Sequence, residues 1–329
     1  MDPTVSVIVP CFNLGQYLDE AVSSVLAQSF QDFEILIVDD GSTDEAARAV
    51  LERYSRPKTR VIRTEHAGLA VARNLGIRQA KGRYLCALDA DDTLQPSFLE
   101  KMVRGLDADD SLTFSSCWLR TFGDETWEWK PERCDLPTLL WEDTVLTAAL
   151  VRRDAVVAVG GYDTNMPEQG DEDWDLWLTL VERGCRGAIF PEILFNYRRR
   201  AGSMSTVCWH GPGHVPLLRY RLAKHRGTYD RYRLDVLLHQ DDRTAALLRD
   251  NDRLERHIAS DLVPAVNQRR QELAALRARL AAGPQLENLE AALQAAAAEV
   301  AALRTSMSWR VTAPLRAIYA KWLDWRTGS

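Results

Sequence analysis

Tyr84-Leu85-Cys86-Ala87-Leu88-Asp89-Ala90-Asp91-Asp92 is the stretch around which the chain is organised. Five mostly apolar residues, the length of a buried strand, run without a break into three carboxylates within four positions. Alternation along a strand end would put Asp89 and Asp91 on one side. Carboxylates that close repel each other and are costly to desolvate unless something positive sits between them. A hard divalent cation, Mg2+ or Mn2+, suits that place, since such ions are held by one or two carboxylates plus phosphate oxygens of a substrate. The same residues also suit an acidic turn capping the next helix, with Asp92 or Thr93 leading into Leu94-Gln95-Pro96.

Upstream, Val5-Ser6-Val7-Ile8-Val9-Pro10 reads as a buried parallel strand stopped by proline. The spacing of Leu18, Val22, Val25 and Leu26 predicts a helix over 16–28. Strands are predicted at 33–38 and 60–64, and helices at 45–54 and 69–80. Strand and helix alternate through the first hundred residues, which predicts a twisted parallel α/β sheet. Ligands on such sheets bind at the carboxyl ends of the strands, so the loops after Val9, Val38 and Leu88 are expected to converge on one crevice.

In the second of those loops, Asp39-Asp40-Gly41-Ser42 suits a strand-to-helix turn with an N-cap. It equally suits a carboxylate that accepts from a ribose hydroxyl or a base N–H. Neither a G-x-G-x-x-G nor a Walker sequence is present, which weighs against a dinucleotide dehydrogenase and a P-loop NTPase. Arg73, on the helix before the acidic strand, is placed to pair with a phosphate or with one of the aspartates.

Downstream the pattern weakens from Thr93 to Leu146, where Trp118, Trp127, Trp129 and Trp141 fall among charged residues and prolines. Tryptophan buries a large apolar area and also stacks on sugar faces, so core and an acceptor-side surface are both expected here. Gly170-Asp171-Glu172-Asp173-Trp174-Asp175-Leu176-Trp177 then opens a helix whose apolar face is Trp174, Trp177, Leu178 and Val181. The macrodipole favours acids at its start, and N-capping would use one of the three. A carboxylate at a helix start facing a pocket can also serve as general base for a hydroxyl nucleophile.

Together these residues resemble the inverting family 2 glycosyltransferases of the GT-A fold. The likeness is carried by Val5 to Asn13, Ile37 to Asp44, Gly68 to Asn74, Leu88 to Asp92, Val159-Gly160-Gly161-Tyr162-Asp163 and Glu172 to Trp177, and it covers residues 4–206. The resemblance implies an α/β domain with a mixed, mostly parallel sheet. It implies transfer of a sugar from a nucleotide-diphosphate donor to a hydroxyl acceptor, metal-assisted and with inversion. Pro10, Cys11, Phe12, Asn13, Asp39 and Asp40 would line the nucleotide. Asp89 and Asp91, with Ala90 between, would form the D-x-D pair holding Mn2+ or Mg2+ against the diphosphate, with Arg73 nearby. Asp173 of the Glu172-Asp173 pair would be the general base. One departure concerns Tyr197-Arg198-Arg199-Arg200: relatives often carry a histidine where Arg200 stands. Arginine is not a normal metal ligand, so Arg200 is expected to bind the diphosphate directly.

The 329 residues allow a glycosyltransferase domain over 1–225, a helical or coiled-coil region over 226–305 and a Trp- and Arg-rich amphipathic tail over 306–329. Leu273, Leu276 and Leu280, then Leu286, Leu289, Leu293, Ala296, Val300 and Leu303, form an a/d seam interrupted at Gly283-Pro284, with another break at Pro264. Such a seam suits a hairpin packed on the enzyme or a homodimer. The tail, with Trp309, Trp322 and Trp325 among arginines, resembles that of bacterial polysaccharide-assembly enzymes. It suits either a membrane surface or a protein groove.

A net charge of -6 argues against nucleic acid as partner. Met1-Asp2-Pro3 leads straight into a strand-like run, so no signal peptide is expected, and no window suits a transmembrane helix. The six cysteines lack C-x-x-C pairing and are expected to be reduced thiols in a cytoplasmic protein, which the tail could hold at the inner face of the membrane. Zinc at Cys208, His210 and His214 is disfavoured by the intervening Gly-Pro-Gly.

A saccharide or lipid-linked saccharide acceptor is the expected partner of the donor. Two other functions compete. A nucleotidyltransferase would need a Gly-rich basic loop, which Pro10-Cys11-Phe12-Asn13 does not supply. A non-catalytic nucleotide-binding scaffold in a polysaccharide-assembly complex would not need intact acids at 89, 91 and 173.

Overall fold

The computed structural model describes residues 2–200 and 213–282, with 294, 295 and 297–299 beyond them. The chain divides into two compact units, Met1–Gln240 and Asp241–Ser329. The sheet of the first unit and its helices follow in chain order: β1 (Val5–Cys11), α1 (Gly15–Leu26), β2 (Phe33–Asp40), α2 (Glu45–Arg53), β3 (Thr59–Thr64), α3 (Leu69–Gln79), β4 (Tyr84–Ala87), β5 (Thr93–Leu94), α4 (Phe98–Ala108), β6 (Leu112–Gly123), β7 (Glu128–Trp129), α5 (Leu136–Leu139), β8 (Leu150–Arg152), α6 (Arg153–Val159), α7 (Glu172–Glu182) and β9 (Arg186–Arg199).

The strands lie in the order β3-β2-β1-β4-β8-β6-β9-β5, with β7 paired to β6. β3, β2, β1 and β4 are mutually parallel. Beyond β4 the sheet becomes mixed: β8 runs antiparallel to β4 and β6, and β9 parallel to β6 in a long bulged ladder. The chain leaves β1 for β2 and β3 on one side and returns to β4 on the other. Connections therefore diverge between β1 and β4, and a crevice opens at the carboxyl ends of those strands.

Strand alternation feeds two cores. Val5, Val7 and Val9 of β1, Ile35 and Ile37 of β2, and Tyr84 and Cys86 of β4 pack with α1 and α4. Ile8, Leu36, Val38, Leu85 and Ala87 point the other way, onto Ala72 and Ile77 of α3 and Leu176, Trp177 and Leu180 of α7. Both faces are covered, which is why these strands read as unbroken apolar runs. Gly76 lets α3 lie directly on β1, since a Cβ there would sit 2.4 Å from Ile8 Cγ2.

Two strand ends differ from expectation. Pro10 does not stop β1, whose pairing with β2 continues to Cys11↔Asp39. Ile8 accepts from Leu88 N–H on the β4 side, so Pro10, two residues on, faces the same side just past the last paired residue. Its missing N–H therefore costs the ladder nothing. Conversely, β4 ends at Ala87, and Asp89 to Asp92 form a turn closed by Asp92 N–H donating to Asp89 O at 3.1 Å. Turn geometry, and not strand alternation, gathers the acids.

Cys11, Cys86, Cys117 and Cys134 are buried free thiols and Cys185 is a half-buried one. Burial pushes Cys11 up to about 11 and raises Cys86, Cys117 and Cys134 too, so these four buried thiols are inert packing groups.

Further helices among the described residues are α8 (His214–Lys224), α9 (Arg226–Arg231), α10 (Arg233–His257) and α11 (Val263–Ala282). Tyr229, Tyr232 and Val236 pack on the second core. Pro264 does not break the helical path, because a π turn over Ile258–Leu262 precedes it. The wider turn takes up the carbonyl four residues back, which a proline ring would otherwise meet. In the second unit Leu273 and Leu276 of the predicted seam are half-buried, and Arg269 pairs with Glu299 at 3.1 Å. Gly283-Pro284, the seam from Leu286 to Leu293 and the tail at 306–329 lie outside the described residues. Among the described residues no helix is long and apolar enough to cross a membrane.

Candidate active site

The acidic turn sits at the crevice. Ala90 is buried in the first core and anchors it, so only its backbone can meet a ligand. Each of the three acids has its own partner. Asp89 Oδ1 accepts from Arg73 Nη2 at 2.7 Å, and Asp91 Oδ2 from Arg200 Nε at 2.9 Å. Asp92 is fully buried and accepts from the Arg198 N–H at 2.7 Å, while Arg198 Nε donates to the Asp91 carbonyl at 2.8 Å. Asp92 therefore ties the turn to the end of β9 and caps no helix; the next helix, α4, begins at Phe98. Burial and the neighbouring Asp89 push the Asp91 carboxyl up, against the pull of Arg200.

Arg73 of α3 joins this turn to α7. Its side chain is 1% exposed and its other terminal nitrogen donates to Glu172 Oε1 at 2.7 Å. Burial opposes its charge, and Asp89 and Glu172 more than restore it. The Tyr162 ring lies 5.2 Å from the guanidinium carbon. Tyr162 is fixed in turn by Asn74, which accepts from its N–H and donates to its carbonyl, each at 2.8 Å. This clasp needs Gly161, whose φ of +80° is left-handed and where a Cβ would meet Asn74 Oδ1 at 2.3 Å. Arg73-Asn74 and Gly160-Gly161-Tyr162 are thus two halves of one joint.

The three acids at the start of α7 divide their work. Asp171 stands at the cap position but makes no capping bond, contrary to the expected N-cap role. Its carboxylate instead pairs with the buried Arg221 of α8, whose guanidinium lies 3.4 Å from the centre of the Trp174 ring. Glu172 takes Arg73 and accepts from Gly170 N–H at 2.8 Å. Asp173 is half-buried and accepts from Trp174 N–H at 2.9 Å and from the Thr147 hydroxyl, and among the described residues no arginine is bonded to it. Burial and the adjacent Glu172 push it up to about 6. Asp143, in the loop before Thr147, is pushed well above the usual range by burial and by Asp173.

On the other flank, Phe12 follows Pro10 and Cys11 at the end of β1 and stacks on His66, ring centres 4.1 Å apart. Asn13 adopts φ +57° and its carboxamide oxygen accepts from the N–H groups of Thr43 and Asp44, each at 2.8 Å. Asp39 accepts from Ser42 N–H at 3.0 Å. Asp40 is buried, with its oxygens on the N–H groups of Ala67 and Gly68 at 2.9 and 3.0 Å and on His66 Nδ1 at 2.9 Å. It therefore shapes the 65–68 loop.

Asp89 and Asp91 offer only carboxylate oxygens, the donor chemistry of a hard divalent cation. Among the described residues no third His, Cys, Asp or Glu joins them in a metal-binding group. Diphosphate oxygens and water would complete the shell, and the donor set fits on those terms. The expected tryptophan surface is divided: Trp129 packs on the first core, Trp118 donates to Pro131 O at 3.0 Å, and Trp127 is exposed. Of the doubtful zinc group only His214 is among the described residues. Thr147, Asp143, Tyr162, His66 and Arg221 were not singled out by sequence. Only Tyr162 carried a signal, from its Gly-Gly-Tyr-Asp setting.

A parallel sheet with an acidic turn at its switch point and a carboxylate helix facing it defines a nucleotide-sugar-dependent transferase of the GT-A type. The glycosyl transferase family 2 model matches residues 6–167. A putative teichuronic acid biosynthesis glycosyltransferase, TuaG of Bacillus subtilis, is 32% identical over 216 residues, spanning 63% of this chain and 83% of that one. Among solved structures, the mannosyltransferase PcManGT of Pyrobaculum calidifontis, in complex with GDP-Man and Mn2+, is similar with a TM-score of 0.54 at 22% identity, over 91% of this chain and 87% of that one. S. aureus TarS 1-349 in complex with UDP-GlcNAc is similar with a TM-score of 0.53 at 18% identity, over 68% and 72% of the two chains. The chain belongs to glycosyl transferase family 2, and it is a glycosyltransferase.

Proposed function

We propose that the chain moves a sugar from a nucleotide-diphosphate donor to a hydroxyl of a growing or lipid-linked polysaccharide, with inversion. One observation carries this reading: Arg73 bonds Asp89 and Glu172 together, residues remote in sequence, and so sets the acidic turn and the base helix at fixed distance. Asp173 takes the acceptor's proton as its oxygen attacks the anomeric carbon. It is suited to this because it lies next to Glu172 with no arginine bonded to it among the described residues, and its pKa of about 6 is close to neutrality. Glu172 holds Arg73 and supports the base without touching substrate. Phe12 and Asp39 meet the base and ribose, with Pro10, Cys11 and Asn13 shaping the loop and Asp40 holding the opposing loop. Asp89 and Asp91 would hold Mn2+ or Mg2+, which when bound neutralises the diphosphate leaving group. Arg200 faces the diphosphate.

The polysaccharide acceptor is supported by the kind of relative the chain matches. The Trp- and Arg-rich tail at 306–329 supports peripheral attachment to a membrane where a lipid-linked acceptor would be made.

The test is a thermal-shift panel of UDP, GDP, dTDP and CMP, each with and without Mn2+, repeated on Asp173→Asn. Stabilisation by one nucleotide, increased by Mn2+ and retained in a variant that no longer transfers sugar, is the expected outcome. A ligand at 100 times its dissociation constant adds about 2.7 kcal/mol, which such a scan resolves. No stabilisation by any nucleotide would shift the reading to a non-catalytic scaffold.

A further inference from the structure

We propose that Arg200 is a built-in counter-cation of the acidic turn, which yields Asp91 when a divalent cation arrives and takes the donor's diphosphate in exchange. This rests on the reading of Asp89 and Asp91 as the cation-binding pair. Without any ion the turn is already balanced: Arg73 sits on Asp89 and Arg200 on Asp91. The two arginines differ in freedom. Arg73 is 1% exposed, is bonded on its far side to Glu172, and has no room to leave. Arg200 is 30% exposed, one residue past the end of β9.

Its backbone is nevertheless held. Arg198, two residues earlier, is fixed by Asp92, by the Asp91 carbonyl and by Glu20, and its guanidinium lies 4.2 Å from the centre of the Phe122 ring and 4.8 Å from that of Tyr17. The Arg200 guanidinium is 5.8 Å from the same Tyr17 ring. Arg200 is thus a partly exposed side chain on a fixed root, bonded to Asp91 and within reach of whatever binds beside it.

A cation at Asp91 would meet the guanidinium at close range, in a half-buried site where like charges are poorly screened. Alone, it must push Arg200 off its carboxylate without giving it another partner. With a nucleoside diphosphate present the exchange becomes favourable, because the planar guanidinium fork matches phosphate oxygens. Cation and nucleotide should therefore bind weakly alone and strongly together, with Arg200 as the coupling.

The test titrates Mn2+, followed by electron paramagnetic resonance of the free ion, alone and with UDP or GDP. Arg200→Gln should bind Mn2+ alone about tenfold tighter than the parent and, with Mn2+ present, bind the nucleotide about tenfold weaker. Arg200→Lys, which keeps charge but not the fork, should leave Mn2+ alone weak and recover part of the nucleotide affinity. Opposite changes in two affinities are not what a merely loosened fold produces, and melting without ligand checks that all variants are intact. If Arg200→Gln binds Mn2+ no tighter than the parent, while Asp91→Asn abolishes Mn2+ binding, the exchange is overturned and the cation site stands. If the parent binds no Mn2+ even with nucleotide, the cation site itself fails and the exchange with it.

Discussion

The acidic turn after β4 and the first turn of α7 both crowd carboxylates at the crevice, and they are balanced differently. In the acidic turn Asp89 and Asp91 are each bonded to an arginine, Asp89 to the Arg73 that Glu172 also holds and Asp91 to Arg200. At the start of α7, Asp171 has Arg221 and Glu172 shares Arg73, but Asp173 is left with a hydroxyl and its neighbour's N–H. A carboxylate bonded to a guanidinium already has a cation to trade for another. An unmatched one, pushed up to about 6, can take and release a proton. Burial and a neighbouring acid raise carboxylates in both places, and what differs is which of them has a guanidinium bonded to it.

The bluntest way to break this comparison is Arg73→Met, since Arg73 serves both turns. It leaves Asp89 and the buried Glu172 facing each other without a cation. A loss of about 3–5 kcal/mol of stability is expected, read as a lowered urea midpoint, with transfer abolished. Asp173→Asn acts on the unmatched side alone. Turnover should fall about a thousandfold with nucleotide binding intact, and a variant that keeps its rate would remove Asp173 from the base role.

Arg221→Met sharpens the comparison, because Arg221 touches neither turnover chemistry nor donor. It holds Asp171 and Trp174, on either side of Asp173 in sequence. We expect turnover to drop roughly tenfold to a hundredfold with donor KM unchanged, and Arg221→Lys to restore part of it, as for other misplaced catalytic groups.

The pH profile tests the unmatched state directly. Asp173 must be ionised to accept a proton, so turnover should fall as pH drops through about 6, higher than for an ordinary aspartate. Glu172→Gln removes the like charge and frees Arg73, and should move that limb to lower pH.

The smallest effect is expected at the far end of α7. His225 is buried between Asp175 at 3.0 Å and Glu182 at 2.7 Å. Burial works against its charge and the two carboxylates override it, raising its pKa above the usual 6.5. Its contribution is therefore complete below that value and fades as pH rises through the folded pKa. His225→Gln should cost about 1 kcal/mol in thermal or urea unfolding at pH 6 and less at pH 9.

What the sequence determined by itself was the sheet and the acids. Apolar runs such as Val5 to Val9, interrupted only by Ser6, suit strands covered on both faces, and acids following them then lie at strand ends, where a parallel sheet opens. Local pattern erred where the cause was not local. Pro10 sits inside β1 because its neighbour β4 has already ended there, and Pro264 sits inside a helical path because a π turn precedes it. Tertiary structure alone decided which acid is paired and which is not. Arg73, Arg200 and Arg221 come from α3, the end of β9 and α8, and a guanidinium's partner depends on where its long side chain is brought by folding. Each arginine is visible in the sequence, but no spacing reveals which carboxylate it will neutralise.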